Sequence, residues 1–415
     1  MLSLLLACHD SPSPAVEPPP PDLGLGVTVP DAAAGLCVSV QLDRWDADHR
    51  ARMVQALHDL GVRELRHDLR WNYAQPARDT FDWTTEDNWT SAAADFEVIA
   101  MLGYGNTWAS GEADSFYPPD DPADFAAFAG AAATRYPDIH RWEIWNELNA
   151  GYRFWKVGDP PAISGDPVGY AALFAAAAEA LPADDEVEIG GTFFHEMAIS
   201  SGPDFVAEAI ASDPRVLSEA DALAVHPYTL YPPRVGPEET EGNEMSLGEM
   251  FDAMSASAPG LPLVITEAGW PSYGEVDAET QAAFLLREFA LAQAGGVRDV
   301  CWYTLEDGED PANSEDDFGL VGFDGVTKPA GTAFASLAEA IDGLDANGDA
   351  AAALGLPAGV YAVRWSSSER TATMVWTTGA ATDVELPASA GACDAEGVSV
   401  SATEMPVIVR EEMCP

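Results

Sequence analysis

The sequence predicts an α/β fold, a (β/α)8 TIM barrel followed by a small C-terminal antiparallel β-domain. Short apolar runs of strand length alternate eight times with Ala-rich amphipathic runs of helical length. The alternating part is about 300 residues long, which suits one barrel. From residue 345 the pattern changes to short runs of alternating polarity separated by Gly, Ser and Asp, which is typical of antiparallel strands.

The predicted strands and helices alternate between residues 36 and 342. The strands are mostly apolar and cover residues 36–41, 62–67, 97–102, 141–145, 187–192, 222–226, 263–267 and 300–305. The helices are amphipathic and cover residues 48–60, 122–136, 167–181, 247–258, 278–294 and 329–342. Loops after the strands form the functional face of such a barrel; here we expect loops 106–122, 148–167, 230–245 and 307–319 to shape it.

The N-terminal segment predicts export. Residues 1–22 contain an apolar run that ends in LLAC at Cys8, followed by a tether rich in Pro, Ser and acidic residues. This resembles a bacterial lipoprotein signal in which Cys8 carries the lipid, although the run lacks the usual basic residues, which leaves open whether the true start lies upstream. We therefore expect a lipid-anchored protein at the cell envelope, or otherwise a secreted one. The barrel is predicted at residues 23–344 and a small β-sandwich-like domain at 345–415.

The charge excludes several classes of partner. The chain has 19 Lys and Arg against 69 Asp and Glu, a formal net charge of −50, and its field repels nucleic acid and anionic membrane surfaces. A neutral glycan is compatible with it, and the lipid is the expected membrane attachment. A saline habitat and a generally acidic secretome would both produce this composition. The sequence leaves the oligomeric state open.

Four cysteines remain besides Cys8. Cys393 and Cys414 lie about 20 residues apart in one small domain, where an oxidising compartment favours a disulfide. Cys37 lies on the first predicted strand and Cys301 on the last, and these strands become neighbours when a barrel closes. A disulfide and a buried pair of free thiols are both open there; the free thiols are favoured because free Cys is commonly buried.

Two acidic segments have alternative interpretations. Asp345, Asn347 and Asp349 are spaced like the first ligands of a calcium loop, but the Gly and the distal Glu of that motif are missing. A solvated linker is therefore the expected structure. The run EDGEDPANSEDD at residues 306–317 predicts an acidic loop over the barrel mouth rather than a cation site.

Two glutamates stand at the ends of predicted strands in distinctive contexts, Glu147 in RWEIWNELN and Glu267 in LVITEAGW. Each follows an apolar strand and is flanked by Trp, Asn or Gly. Cleaving a glycosidic bond with retention requires two carboxyl groups about 5 to 5.5 Å apart, one protonated and one ionised. The two motifs together predict such a pair at the C-terminal ends of the fourth and seventh strands.

On these motifs, residues 36–342 resemble the retaining hydrolases of glycoside hydrolase clan A. The runs WEIWNELNAGYRFW, YAALFAAAAEAL, VEIGGT and AVHPY are most similar to family 39, which includes β-xylosidases and exopolysaccharide endo-hydrolases, and family 5 is the near alternative. Leu148 replaces the Pro that usually follows the acid/base. The resemblance implies a β-glycan substrate, Glu147 as acid/base and Glu267 as nucleophile.

The resemblance also implies substrate-binding roles for five residues. Arg66 would keep Glu267 ionised, and the Tyr228 hydroxyl would hydrogen-bond to the same carboxylate. Asn146 would bind the 2-hydroxyl of the attacked sugar. His226 would line the subsite and Trp302 would form its apolar floor. Trp71, Trp108, Trp155 and Trp270 are further candidate stacking platforms, and Glu143 is in phase with Glu147 as a buried charge behind it.

The expected mechanism needs neither a cofactor nor a metal. The charge of Glu267 raises the pKa of Glu147 and keeps it protonated for acid catalysis; once Glu267 forms the glycosyl ester, Glu147 can act as a base. A surface polysaccharide-binding protein without activity is the alternative, although Glu147, Glu267, Asn146 and Arg66 are all present. No Gly-rich phosphate loop, metal-ligand cluster or Ser nucleophile motif supports unrelated chemistry. The sugar, the linkage and endo or exo action stay open.

Overall fold

A computed structural model describes residues 29–193, 201–228, 236–238, 246–393 and 396–414. The predicted signal segment and Cys8 lie outside the described residues. Within the described ranges, no helix combines the length and the apolar character needed to cross a membrane.

Eight parallel strands close into a barrel in sequence order, and a helix follows each strand, so the predicted fold class is confirmed. The strands are β1 (Leu36–Val40), β2 (Glu64–Arg70), β3 (Glu97–Gly103), β4 (Arg141–Asn146), β5 (Glu186–Phe193), β6 (Ala222–His226), β7 (Leu263–Ala268) and β8 (Val300–Tyr303). The helices are α1 (Ala47–Asp59), α2 (Thr84–Ala92), α3 (Pro122–Arg135), α4 (Pro167–Ala180), α5 (Gly202–Ser212), α6 (Leu247–Ser257), α7 (Ala278–Ala294) and α8 (Pro329–Ile341).

The sequence-based prediction missed helices α2 and α5. Helix α2 is mostly polar, and only Glu86 and Trp89 of its nine residues are buried, so its apolar periodicity is weak. Helix α5 begins with Gly202 and a proline, residues that read as a loop, yet the Ser201 side chain caps it by accepting a hydrogen bond from the amide of Asp204. Proline is favourable in the first helical turn because no intrahelical partner is needed there.

The C-terminal strands form two small sheets beside the barrel. A four-stranded sheet has the order β14-β11-β10-β9, and a two-stranded sheet pairs β12 with β13. The strands are β9 (Asp345–Asp349), β10 (Val360–Ser366), β11 (Arg370–Thr377), β12 (Thr382–Leu386), β13 (Val398–Ala402) and β14 (Val407–Glu412). One face of the larger sheet, with Trp365 and Trp376, joins the barrel core, while Val360 and Val375 on the other face pack with the smaller sheet.

Strand β9 corrects the expectation of a solvated linker at residues 345–349. Ala346 and Gly348 are buried and alternate with exposed Asn347, and β9 pairs antiparallel with β10. The segment is short and polar, so its sequence gives little strand signal. Pairing and burial of the two small residues decide its structure.

Two disulfides are present. Cys37 and Cys301 are directly opposed across the β1–β8 pair and are bonded, so the interpretation as free thiols is wrong. Both side chains cluster with Ile99. Cys393 and Cys414 form the second disulfide, the pair proposed from their spacing.

The N-terminal end of the barrel is occupied by an ion network. The guanidinium of Arg141 at the start of β4 bonds to Glu64 and lies 2.7 Å from carboxylate oxygens of both Glu188 and Asp299. Arg298 donates to Asp299 at 2.6 Å. These contacts connect β2, β4, β5 and the residue before β8, and they fix the end of the barrel opposite to the candidate site.

Candidate active site

A cleft of about 400 Å³ lies at the C-terminal ends of the strands, where TIM barrels carry their functional residues. Its walls combine charged groups with aromatic rings. The sequence-predicted residues that line it are Arg66, Asn146, Glu147, Tyr228 and Glu267. The structure thus brings five candidates from four different strand ends into one cleft.

The end of β4 presents Asn146 and Glu147 to the cleft through an unusual backbone. Glu147 has a φ of 48° and Trp145 a φ of 71°, a left-handed conformation that is rare for residues with side chains and is found at functional sites. After the turn, the amide of Leu148 donates to the carbonyl of Gly191 at 3.4 Å. Proline, usual at this position in the resembled family, lacks that N–H group.

Arg66 is the centre of the hydrogen-bond network beneath the cleft. Its three guanidinium nitrogens donate to Glu143 at 2.5 Å, to Glu267 at 2.6 Å and to the Asn146 side-chain oxygen at 2.8 Å. Because arginine only donates, Asn146 must present its oxygen to Arg66, which leaves its amide nitrogen free to donate elsewhere. Arg66 therefore fixes the orientation of three side chains at once.

Glu267 at the end of β7 receives two donors. Arg66 binds one carboxylate oxygen, and the Tyr228 hydroxyl donates to the other at 3.2 Å. Burial raises the pKa of Glu267, and the positive charge of Arg66 counteracts that rise. Arg66 and Tyr228 thus orient both oxygens of the carboxyl group and favour its ionised form, and its side chain is still 13% exposed to the cleft.

Glu143 lies behind the cleft and is fully buried. One of its oxygens binds Arg66, and the other accepts from the Gly191 amide at 2.9 Å and the Thr266 hydroxyl at 3.0 Å. These three donors engage both carboxylate oxygens and hold the side chain in one orientation. The alternation along β4 indicated this buried position for Glu143.

Glu147 has the opposite environment to Glu267. One of its oxygens lies 3.4 Å from Nδ1 of His226, and the other is buried without a hydrogen-bond partner in the described ranges. Burial raises the pKa of Glu147, the hydrogen bond with His226 lowers it, and the negative charge of Glu267 raises it again, with a net rise. Among the described residues Glu147 has no arginine partner like that of Glu267, so it is the better placed of the two to donate a proton.

His226 connects Glu147 to the network around Glu143. The Thr266 hydroxyl donates its proton to Glu143, so its oxygen accepts from Nε2 of His226 at 3.0 Å. The other ring nitrogen, Nδ1, is the one that faces Glu147.

Oxygen atoms of Glu147 and Glu267 and a nitrogen of His226 all lie within 4.8 Å of one another. This separation fits the spacing of about 5 to 5.5 Å that covalent double displacement requires and is shorter than the roughly 6.5 to 9.5 Å of direct water attack. Three such ligands could also hold a metal ion. One of them, Glu267, already forms an ion pair with Arg66.

Two predicted residues are not where the resemblance placed them. His226 is fully buried and lies below Glu147 instead of lining the cleft, and Trp302 is fully buried and does not line it either. The Trp302 indole donates to the carbonyl of Phe318 and packs near Trp270. Strand β8 instead presents the next residue, Tyr303, to the cleft.

The other tryptophan candidates also do not form platforms in this cleft. Trp71, Trp155 and Trp270 are buried, and half-buried Trp108 packs against Trp71. The cleft is instead bordered by Tyr104, Phe116, Phe154, Phe193, Tyr303 and Phe318. Most of these residues lie in or next to loops. Loops have no regular periodicity, so the sequence does not indicate which of their side chains point into the cleft.

No family model and no curated protein matches the chain, but solved structures resemble it. A family 39 glycoside hydrolase from Bacteroides cellulosilyticus WH2 has a TM-score of 0.67 and 19% identity over 92% of this chain and 82% of that one. A monomeric β-xylosidase from Caulobacter crescentus CB15 has a TM-score of 0.62 and 21% identity, over 86% and 80%. A GH30 endoxylanase from Clostridium papyrosolvens C71 has a TM-score of 0.59 and 13% identity, over 94% and 96%. The resemblance to clan A glycoside hydrolases is therefore confirmed at the level of the fold, with family 39 first.

Proposed function

We propose that this protein is a retaining β-glycoside hydrolase that cleaves a β-linked oligosaccharide or polysaccharide by double displacement. The observation that carries the proposal is the carboxyl pair in one cleft, within 4.8 Å but in opposite environments. Glu267 is bound by Arg66 and Tyr228, whereas Glu147 is buried with one oxygen that has no partner among the described residues. One group is thus prepared to attack and the other to donate a proton.

In the first step, the Glu267 carboxylate attacks the anomeric carbon while Glu147 protonates the glycosidic oxygen, which leaves with the departing sugar. The Asn146 amide nitrogen donates to the 2-hydroxyl of the attacked sugar, where hydrogen bonds strengthen in the transition state. Arg66 binds both Asn146 and Glu267, so it fixes the position of the hydrogen-bond donor relative to the nucleophile.

In the second step, the ester at Glu267 has lost its negative charge. The pKa of Glu147 therefore falls, and Glu147 removes a proton from the water that hydrolyses the ester. The sugar is released with retained configuration. The reaction needs no cofactor, and treatment of the enzyme with EDTA is expected to leave its rate unchanged; a rate lost with EDTA and restored by a divalent ion would contradict this mechanism.

The proposal is tested with a panel of aryl β-glycosides and soluble β-glycans, using wild type, Glu147→Ala and Glu267→Ala. Wild type is expected to cleave at least one compound with retention, read from the anomeric signals of the first product by NMR. Azide can take the place of the water that Glu147 would activate, so it should restore turnover of Glu147→Ala and yield a β-glycosyl azide.

An inactive polysaccharide-binding protein is the competing function. It predicts that wild type and both variants are equally inert on the whole panel while a glycan still binds. Hydrolysis that gives a product of inverted configuration would support a hydrolase but would exclude Glu267 as the nucleophile.

Export and lipidation at Cys8 are part of the same proposal. The LLAC motif and the Pro-rich segment after it support them. In a bacterial host, the full-length chain is expected in the membrane fraction and Cys8→Ser in the soluble fraction. If both forms divide equally between the membrane and soluble fractions, the proposed lipid anchor is wrong, and the proposed hydrolysis is unaffected.

A further inference from the structure

Three arginines line the cleft, and they differ in how their charges are compensated. Arg66 forms ion pairs with Glu143 and Glu267. Arg70 lies 3.5 Å from Asp68 and 3.9 Å from a carboxylate oxygen of Asp43.

Arg153, in contrast, has no carboxylate within ion-pair distance in the ranges that the structure describes. The chain has 69 acidic residues against 19 basic ones, so a cleft arginine without such a partner is unexpected. Its charge is available to a ligand.

Arg153 is held in place by rings rather than by anions. Its guanidinium lies over the ring of Phe154, 4.9 Å from the centroid, and 5.9 Å from the centroid of Phe193. It also forms a side-chain hydrogen bond with Tyr152. A guanidinium has five N–H donors, so these contacts leave donors for a planar anion. Arginine stacked on an aromatic face in this way is pre-organised for a carboxylate.

The position of Arg153 assigns it to one side of the cleaved bond. It follows Glu147 by six residues in the loop after β4, and its guanidinium packs over Phe193 at the end of the neighbouring strand β5. Glu267 stands at the end of β7, two strands further round the barrel. Because the acid/base protonates the leaving oxygen, groups beside Glu147 face the leaving sugar.

We propose that Arg153 binds the carboxylate of a uronic acid residue on the leaving-group side, so that the preferred bond lies next to an acidic sugar. The inference rests on the proposed hydrolase function. A net charge of −50 disfavours a densely anionic polymer, but its long-range field is screened beyond about 8 Å at physiological salt. The expected substrate is therefore a largely neutral β-glycan that carries isolated uronates.

The aromatic rings around Arg153 support a sugar at this place. Phe154 contacts the rings of Tyr104 and Phe116 at centroid distances of 5.6 Å each, and all three line the cleft. Together with Phe193 they form an apolar wall against which the C–H face of a pyranose can pack. This aromatic wall packs against the sugar ring, and Arg153 favours a sugar that carries a carboxylate.

The test uses two disaccharides that differ only in the carboxylate. The sugar of the fastest-cleaved aryl β-glycoside is linked β to glucuronic acid in one disaccharide and to glucose in the other. Wild type is expected to show about tenfold or greater preference in kcat/KM for the glucuronate compound, since a charge-assisted hydrogen bond contributes on this scale. Arg153→Gln should remove that preference, with an unchanged thermal midpoint because Arg153 is exposed.

Glu315→Gln is the matched control, because Glu315 also lines the cleft and its substitution also changes the charge by one. It should retain or strengthen the preference if recognition is a contact with Arg153, because the charge of Glu315 also acts on Arg153 and would compete with a bound carboxylate. A preference that survives in Arg153→Gln, or equal efficiency of wild type on both disaccharides, overturns the inference while aryl glycoside hydrolysis still supports the hydrolase.

A second measurement separates the two proposals if no aryl β-glycoside is cleaved. Calorimetric binding of both disaccharides to full-length Glu147→Gln, with and without Arg153→Gln, does not require turnover. Tighter binding of the glucuronate compound that depends on Arg153 supports the acidic-sugar site. Equal binding of the two disaccharides, or binding of neither, overturns it.

Discussion

The two ends of the barrel each place an arginine among carboxylates, but only one end forms a site. At the N-terminal end Arg141 contacts Glu64, Glu188 and Asp299. At the C-terminal end Arg66 contacts Glu143 and Glu267. Both networks are largely buried, and both connect several strands.

Buried carboxylate oxygens without a partner among the described residues occur at both ends, on Glu64 and Glu188 at one and on Glu147 at the other. Glu147 borders the cleft, whereas Glu64 and Glu188 are not among the residues that line it. An unsatisfied buried charge therefore does not by itself indicate chemistry. The C-terminal network differs because a substrate can reach the unpartnered group and an ionised neighbour at the same time.

The largest expected effect is at Glu267. Glu267→Gln removes the nucleophile but keeps the size of the side chain, and kcat on an activated aryl β-glycoside should fall by about 10⁴-fold or more. The fold should remain, which circular dichroism would verify. Activity within tenfold of wild type would show that the C-terminal network, like the N-terminal one, is structural.

Arg141→Met tests the other end. The substitution leaves Glu64, Glu188 and Asp299 with less compensation, and breaking a buried ion pair costs about 3 to 5 kcal/mol. The free energy of unfolding from urea denaturation should fall by that amount, while kcat of the folded fraction stays at the wild-type value. A large loss of kcat without loss of stability would contradict the division between the two ends.

The pH dependence of stability distinguishes the ends further. Burial raises the pKa of Glu188 to about 7. A raised folded-state pKa favours the folded state at low pH, so this contribution is complete below the unfolded value of about 4.5 and is lost as pH rises to about 7. Its size is on the order of 3 kcal/mol.

Glu188→Gln should therefore flatten the change in unfolding free energy between about pH 4.5 and 7. Glu179→Gln on helix α4 is a suitable control, since it removes one exposed acidic residue that takes no part in the ion pairs of Arg141. Identical slopes for wild type and Glu188→Gln would show that Glu188 does not titrate in this interval.

A smaller effect is expected at Tyr228. Its hydroxyl stabilises ionised Glu267, so Tyr228→Phe raises the pKa of that carboxyl and moves the acidic limb of the pH–rate profile to higher pH. Loss of one hydrogen bond should lower kcat/KM by about two- to tenfold. An acidic limb at the wild-type position would mean that Arg66 alone sets the charge of Glu267.

The sequence predicted the barrel well because its signals are local. Eight apolar runs and the periodicity of six helices are readable along the chain, and the Asn146-Glu147 and Glu267 motifs lie at the ends of predicted strands. The roles of Arg66 and Tyr228 came from the family resemblance, and their positions at strand ends agree with it. The C-terminal strand β9 was missed because pairing, not residue type, makes DANGD a strand.

The aromatic lining of the cleft was harder to predict, because the strand register decides which side chains point into the cleft. On β8 the side chains alternate, and Cys301 faces Cys37 across the strand pair. Tyr303 is in phase with Cys301 and lines the cleft, whereas Trp302 points to the other face of the strand. Arg153 and Phe154 lie in a loop and had no such signal.

The central claim is that Glu267 forms a covalent bond to the sugar. The most direct measurement is incubation with the 2-deoxy-2-fluoro dinitrophenyl β-glycoside of the preferred sugar, followed by mass spectrometry of the intact protein and of its peptides. Fluorine slows both steps and the good leaving group restores the first, so the ester accumulates. We predict one sugar per chain, attached to Glu267. Turnover of substrate without any labelled protein, or a label on Glu147 or Glu143, would contradict the account.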